Sequence, residues 1–246
     1  MMKIGSVMIH TDITVSTNNY AAILLQEDRV VEGTVISTGF QTGGRGQAGN
    51  NWESENNKNL LFSIILYPER IPPGDQFLIS KAVSLGISGF LMRYISDISI
   101  KWPNDIYAGN DKIAGILIEN AIAGSRMVHS IAGTGLNVNQ TIFTSNAPNP
   151  VSMKLITGME YDTSLLLREL LDSIDSFYQR ILKYEKDSLE NEYHNLLFRK
   201  GEWHLYRAGG GWFRGMIIGT DSSGCLLVQD ESGRETAYMF KEIEYL

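Results

Sequence analysis

Ten residues, Gly43 to Trp52 (GGRGQAGNNW), restrict the fold of this chain more than any other stretch. Within them Gly44-Arg45-Gly46-Gln47-Ala48-Gly49 formally fits G-x-G-x-x-G, the turn of a dinucleotide-binding fold. That turn requires a strand before it and a helix opening directly after it. The strand is plausible, because Gly33 to Thr38 (GTVIST) is rich in β-branched residues. The helix is not: NNWESENNKN follows, a polar run without 3.6-residue periodicity. A doubly wound nucleotide-binding fold is therefore not expected. The segment reads instead as a long, mobile loop that closes over a ligand.

The chemistry of that loop is specific. Glycines let the main chain approach oxyanions closely and aim its N–H groups at them. Arg45, read as buried, adds a rigid fork of donors suited to carboxylate or phosphate. Some fifty residues later, Ile100 to Asp105 (IKWPND) sets a lysine at a strand end beside Trp-Pro. Together the two segments describe a site for an anionic, phosphate-bearing ligand, and hence an enzyme.

Periodicity and turn signals outline the rest. Ser16-Thr17-Asn18-Asn19 before YAAILLQ reads as a capped helix start. Strands are expected at 33–39 and 59–66. A helix is expected over 75–94, with Phe77, Ile79, Val83, Ile87, Phe90 and Leu91 on one stripe. Short strands follow at 97–101, 112–119 and 127–135, with Gly109-Asn110-Asp111 as a hairpin turn between two of them. Residues 144–150 read as a loop, and 162–195 as one long helix or two broken ones. Beyond about 199 the texture changes to short strands and turns (EWHLYR, WFRGMIIGTD, CLLVQD, RETAYMF), which suggests a small SH3-like β-barrel. We therefore expect a domain at 1–199 and a second at 200–246, the latter small enough to lean on the first.

Composition narrows the partners. A net charge of −7 argues against nucleic acid as the main partner, since phosphate backbones call for a basic face. The single cysteine, Cys225, can form no internal disulfide, so a reducing, cytoplasmic setting is expected. No signal segment is read in residues 1–12 and no membrane span anywhere. The four histidines are scattered without metal-ligand spacing.

Taken in order, Ser16-Thr17-Asn18, Gln41 to Gly46, Trp52, Lys101 to Asp105, Lys112 to Leu117 (KIAGIL) and Gly133 to Asn137 (GTGLN) closely resemble the biotin protein ligase family. The resemblance covers about residues 14–140. It implies an α+β fold, a mixed and mainly antiparallel sheet with flanking helices, similar to class II aminoacyl-tRNA synthetase catalytic domains. It implies ATP and biotin as substrates with Mg²⁺, biotinyl-5′-AMP as intermediate, and transfer to a lysine of a biotin carboxyl carrier domain.

By the same resemblance Lys101 and Arg45 are the catalytic cations. Ser16, Thr17, Asn18, Gln41, Arg45, Gly46, Gln47 and Lys101 hold biotin; Trp52, Lys112, Gly115 and Asn137 hold the nucleotide. Asp105 either ligates the metal or shapes the turn, and both readings stand. Many family members carry arginine where this chain has Gln47. Some carry an N-terminal DNA-binding domain; with motifs beginning by residue 16, a ligase without one is expected here, and a homodimer is left open. The competing readings are a lipoate–protein ligase and, outside enzymes, a peptide-binding module on a degenerate scaffold.

Overall fold

The computed structural model describes residues 2–27, 30–145, 147–183 and 185–246. Among them a seven-stranded sheet carries the first part of the chain. Its strands are β1 (Met8–Thr14), β2 (Val35–Gln41), β3 (Leu60–Leu66), β4 (Ile98–Lys101), β5 (Asp105–Ala108), β6 (Asp111–Ala123) and β7 (Arg126–Leu136). The order is β1-β2-β3-β7-β6-β5-β4, with β1 parallel to β2 and the other pairs antiparallel. This is the mixed, mainly antiparallel sheet that the sequence led us to expect.

Helices cover both faces. On one side lie α2 (Phe77–Leu91), α4 (Thr163–Leu182) and α5 (Lys186–Asn195). Leu60, Phe62, Ile64 and Leu66 of β3 join that side's core, in keeping with the two-residue repeat of a strand. The expected single stripe on α2 is too narrow: twelve of its residues are buried, including Ser84, Gly86 and Ser88, because sheet and helices enclose it. A Cβ at Gly86 would stand 2.6 Å from Ile174 Cα, so the glycine permits the close crossing with α4.

The opposite face is thinner. Among the described residues α1 (Thr17–Glu27) covers it, packing Ala21 against Ile36, Ile65 and Ile131. Beside α1 the face is left to small and polar residues, and the functional cleft forms there.

The stretch expected as one or two helices is two, α4 and α5; Tyr184 between them lies outside the described residues, as does Asn146 in the expected 144–150 loop. Some elements escaped the sequence reading, the last strand (Ile243–Tyr245) among them. β1 is an edge strand with no buried residue, so its alternation is faint. β5 is four residues long, and α3 (Met153–Thr157) is a single capped turn. The Gly109 turn accordingly joins β5 to β6.

The C-terminal strands β8 (Trp203–Ala208), β9 (Gly211–Thr220), β10 (Leu226–Asp230), β11 (Glu235–Tyr238) and β12 (Ile243–Tyr245) form a five-stranded sheet. The β8–β9 turn holds Gly209 and Gly210 at φ 58° and 81°, positive values that a two-residue hairpin turn requires. This sheet is docked. Phe198 N donates to Ile100 O of β4, and Gly201 N to Ile217 O of β9. His194 of α5 meets Thr220 Oγ1 at 3.0 Å. Trp102 Nε1 donates to Gly224 O in the β9–β10 turn, which ties the WPND segment to the second sheet.

Candidate active site

A cleft of ≈ 250 Å³ opens between the Gly43–Trp52 loop, the N-terminus of α1, strands β4 to β7 and the end of the second sheet. Ser16, Thr17, Asn18, Gln41, Arg45, Gly46, Gln47, Trp52, Lys101, Asp105, Lys112 and Gly115 all line it. Residues as far apart in the chain as Ser16 and Tyr245 thus meet in one place. Asn137 alone among the expected site residues does not line the cleft. It is buried at the end of β7, where its Nδ2 donates to Val151 O.

The floor is made by register. Gly115 of β6 faces Gly135 of β7, and Leu117 faces Gly133. Ser63 of β3 faces Gly133 from the other side. Each glycine leaves room for a partner: a Cβ at Gly133 would stand 2.9 Å from Asn18 Cγ, and one at Gly135 2.8 Å from Trp52 Cζ2. A Cβ at Gly115 would lie 2.8 Å from Trp52 Cζ3. The Trp52 indole therefore lies directly on a bare patch of two strands.

At the other end, the first turn of α1 is stitched to the sheet. The Thr17 backbone N–H, one of the helix's orphan donors, is taken by Gln41 Oε1 at 2.8 Å. Thr17 Oγ1 donates to the same oxygen at 3.2 Å. Ser63 Oγ lies 2.7 Å from Thr17 Oγ1 and 2.6 Å from Asn18 Oδ1. Asn18 Nδ2 donates to Glu119 Oε2 at 2.7 Å and to Leu117 O at 3.2 Å. Asn18 is thus held by the sheet and is not a helix cap.

Arg45 corrects one expectation. It is half exposed rather than buried, and its guanidinium is paired with Glu119 at 2.8 Å. Glu119 joins the loop to Asn18, a role sequence reading missed; the only signal was a carboxylate ending the apolar run KIAGILIE. Ser63 was missed likewise, as a lone hydroxyl inside LLFSIIL.

The loop is a short hairpin. Gly46 N donates to Asn50 O and Trp52 N to Gly44 O, and Gln47–Gly49 makes one 3₁₀ turn. No helix follows, as the polar run implied. Its exit is fastened too, because the Glu53 carboxylate accepts from Thr144 N, Thr144 Oγ1 and Ser145 N at 2.8–2.9 Å.

Two cations face the cleft from the β4–β6 side. Lys112 pairs with Asp105 at 2.7 Å and stands 5.7 Å from the Trp52 ring centre. Lys101 ends β4, where pairing with Asp105 closes the WPND turn. Burial pushes the Lys101 ammonium below the ordinary lysine range, against the pull of Asp105. Among the described residues several buried polar atoms have no hydrogen-bond partner: Gln47 Oε1, Trp52 Nε1, Asp105 Oδ1 and Thr134 Oγ1 on the cleft wall, and Asn137 Oδ1 at the end of β7. Buried polar groups are nearly always satisfied, so those on the cleft wall suit a ligand with complementary groups.

Comparison with known proteins places this geometry. The family described as "Biotin/lipoate A/B protein ligase family" matches residues 11–137. The chain is similar to the bifunctional ligase/repressor BirA of Bacillus spizizenii, 26% identical over 240 residues, covering 95% of this chain and 73% of the relative. It is similar to the biotin–[acetyl-CoA-carboxylase] ligase of Paracoccus denitrificans, 25% identical, covering 79% of this chain and 83% of that one. Its fold is that of the biotin protein ligase from Aquifex aeolicus in complex with biotin and ATP. That match has a TM-score of 0.80 at 24% identity, over 98% of this chain and 100% of the other.

Proposed function

Because this chain belongs to the biotin/lipoate A/B protein ligase family, we propose that it is an ATP-dependent biotin–protein ligase. It activates biotin as biotinyl-5′-AMP, releasing pyrophosphate, and then passes biotin to a lysine ε-amine on a biotin carboxyl carrier domain, releasing AMP. The observation that carries this reading is the meeting of Arg45, Trp52 and Lys101 with the Thr17–Asn18–Gln41 network in one cleft.

The first half-reaction brings a carboxylate against a triphosphate, so repulsion between anions is the problem to be solved. Lys101, half-buried at the strand end, provides a cation in a partly desolvated place, where its field counts for more than in water. Arg45 adds a second cation at the loop. Ser16, Thr17, Asn18 and Gln41 offer short polar groups to biotin's ureido edge, as do the backbone of Gly46 and the free oxygen of Gln47. Trp52 lies flat beside Lys112 and Gly115 on the nucleotide side. Asn137, buried outside the cleft lining, is left without a contact to the nucleotide.

Among the described residues no cluster of three His, Cys, Asp or Glu side chains forms a metal site. Asp105 Oδ1 makes no hydrogen bond among the described residues and pairs with the Lys112 ammonium at 2.7 Å. This fits Mg²⁺ held largely by substrate phosphates with a single carboxylate at hand. Bound with the nucleotide, the ion supplies charge neutralisation along the triphosphate. In the second half-reaction the cleft shields the mixed anhydride from water until the carrier amine attacks it.

The test is ATP–pyrophosphate exchange with biotin or lipoate as the acid. Exchange with biotin in the presence of Mg²⁺ is expected. Exchange with lipoate alone would reject the reading in favour of a lipoate ligase, and exchange with neither would return the chain to a binding role.

A further inference from the structure

The Lys101 ammonium sits among aromatic rings drawn from three separate parts of the chain. It donates to Tyr107 Oη at 3.1 Å and lies 4.8 Å from the Tyr107 ring centre. Tyr245, in β12 of the second sheet, presents its ring centre at the same distance. Phe198, on the segment leading into β8, stands at 5.9 Å. The rings brace one another: Tyr107 against Phe198 at 5.2 Å, Phe198 against Tyr245 at 6.4 Å, and Tyr245 against Tyr206 at 5.5 Å. Ring faces attract an ammonium, most strongly where water is excluded. A lysine stem with four rotors is otherwise free to sweep a wide arc.

We propose that Tyr245 is a positioning residue for adenylation: through it the C-terminal sheet closes a three-ring cage that holds the Lys101 ammonium at the reacting end of the cleft. This rests on Lys101 acting where carboxylate and phosphate meet. It makes the second sheet a participant in the first half-reaction, in addition to any part it plays in stability. Tyr245 also lines the cleft, at the end nearest Lys101. It acts through Lys101, and its ring matters where its hydroxyl does not.

The experiment uses the full chain labelled with ¹³Cε-lysine, with Lys101 assigned from Lys101→Arg, and the variants Tyr245→Phe and Tyr245→Leu. The unmodified protein should show one lysine ε signal displaced by ring currents. Tyr245→Leu should move that signal toward the ordinary lysine position. It should also slow single-turnover formation of biotinyl adenylate by about tenfold, with biotin KM altered by less than about twofold, as expected for losing one desolvated cation–π partner. Tyr245→Phe should match the unmodified protein in both. An undisplaced Lys101 signal in the unmodified chain overturns the cage without recourse to any variant. So does a Leu variant with full adenylation, or a Phe variant as slow as the Leu variant. A displaced signal in a chain that forms no biotinyl adenylate supports the cage and overturns the ligase reading instead.

Discussion

Arg45 Nη2 lies 2.8 Å from Glu119 Oε2 and 3.0 Å from Glu119 Oε1, and the same Oε2 accepts from Asn18 Nδ2. One carboxylate thus couples the glycine-rich loop to the first turn of α1. Both ion-pair partners are roughly 40% exposed, so the pair itself is worth no more than about 1 kcal/mol. Its value lies in geometry. Glu119→Ala should leave the melting temperature nearly unchanged while speeding adenylate release by about tenfold, since loop position rather than fold is lost. Stopped-flow release of biotinyl-AMP, set beside a thermal melt, measures both. A variant that melts much earlier but releases no faster would mean that Glu119 serves stability alone.

Lys101 must be charged to meet two anions. Burial lowers its folded pKa below the ordinary lysine value, so its positive charge is lost at a lower pH than an exposed lysine's as pH rises. Adenylation should therefore fall on the alkaline side earlier than an exposed lysine would allow, and Lys101→Arg should remove that limb. Lys101→Ala should cost at least about 10²-fold, the scale for one preorganised electrostatic partner. A rate profile that stays level to the ordinary lysine pKa would contradict the assignment.

Much of this site was legible because its residue types are unusual for their places. Arg45 among glycines and Lys101 ahead of Trp-Pro both stand out from the surrounding sequence. Ser63 and Glu119 do not, because a serine or a terminal glutamate within a strand is common and their partners come from other elements. The roles of Gly115, Gly133 and Gly135 likewise depend on register. Only when β3, β6 and β7 are aligned does each glycine come to lie under Asn18 or Trp52. β1 stayed hidden because an edge strand with no buried face writes almost no pattern into the chain.

That register argument makes its own prediction. Gly135→Ala places a methyl group where Trp52 lies and must lift the indole off the sheet. Its backbone is not in the positive-φ region, so the effect is local contact and not strain. KM for ATP should rise several-fold, roughly the loss of a stacking contact of about 1–3 kcal/mol. Biotin KM should change less. Equal rises for both substrates would point to a general disturbance of the cleft.

Removing residues 200–246 should impair both stability and transfer. The segment carries Gly224, which accepts from Trp102, and Thr220, which meets His194, so its loss uncovers Trp102 and the α5 face. We regard 1–199 and 200–246 as two domains that work as one body. A truncated chain that melts normally and biotinylates its carrier at the full rate would refute this.

The loop itself should tighten when ligands bind. Its sequence offers little apolar anchorage besides Trp52, but the structure adds polar fastenings at Arg45 and Glu53. For Glu53, burial pushes the carboxyl up, yet the Thr144 and Ser145 hydrogen bonds outweigh this and bring it down to about 2. A lowered carboxyl stabilises the folded form fully above its unfolded pKa of about 4.3, and the contribution fades as pH falls toward its folded value. Near neutrality the exit of the loop is therefore held, and motion is left to residues 43–52. Gln47 brings no charge there, where many family members have arginine, and its Oε1 has no hydrogen-bond partner among the described residues. Amide exchange across residues 43–58 should slow once biotin and nucleotide are bound, most of all between Gly43 and Trp52. Gln47→Arg should slow escape of biotinyl-AMP by adding a cation beside the adenylate phosphate. Equal protection with and without ligands would remove the case for closure. Unchanged or faster release from Gln47→Arg would show that charge at this position does not govern how tightly the intermediate is kept.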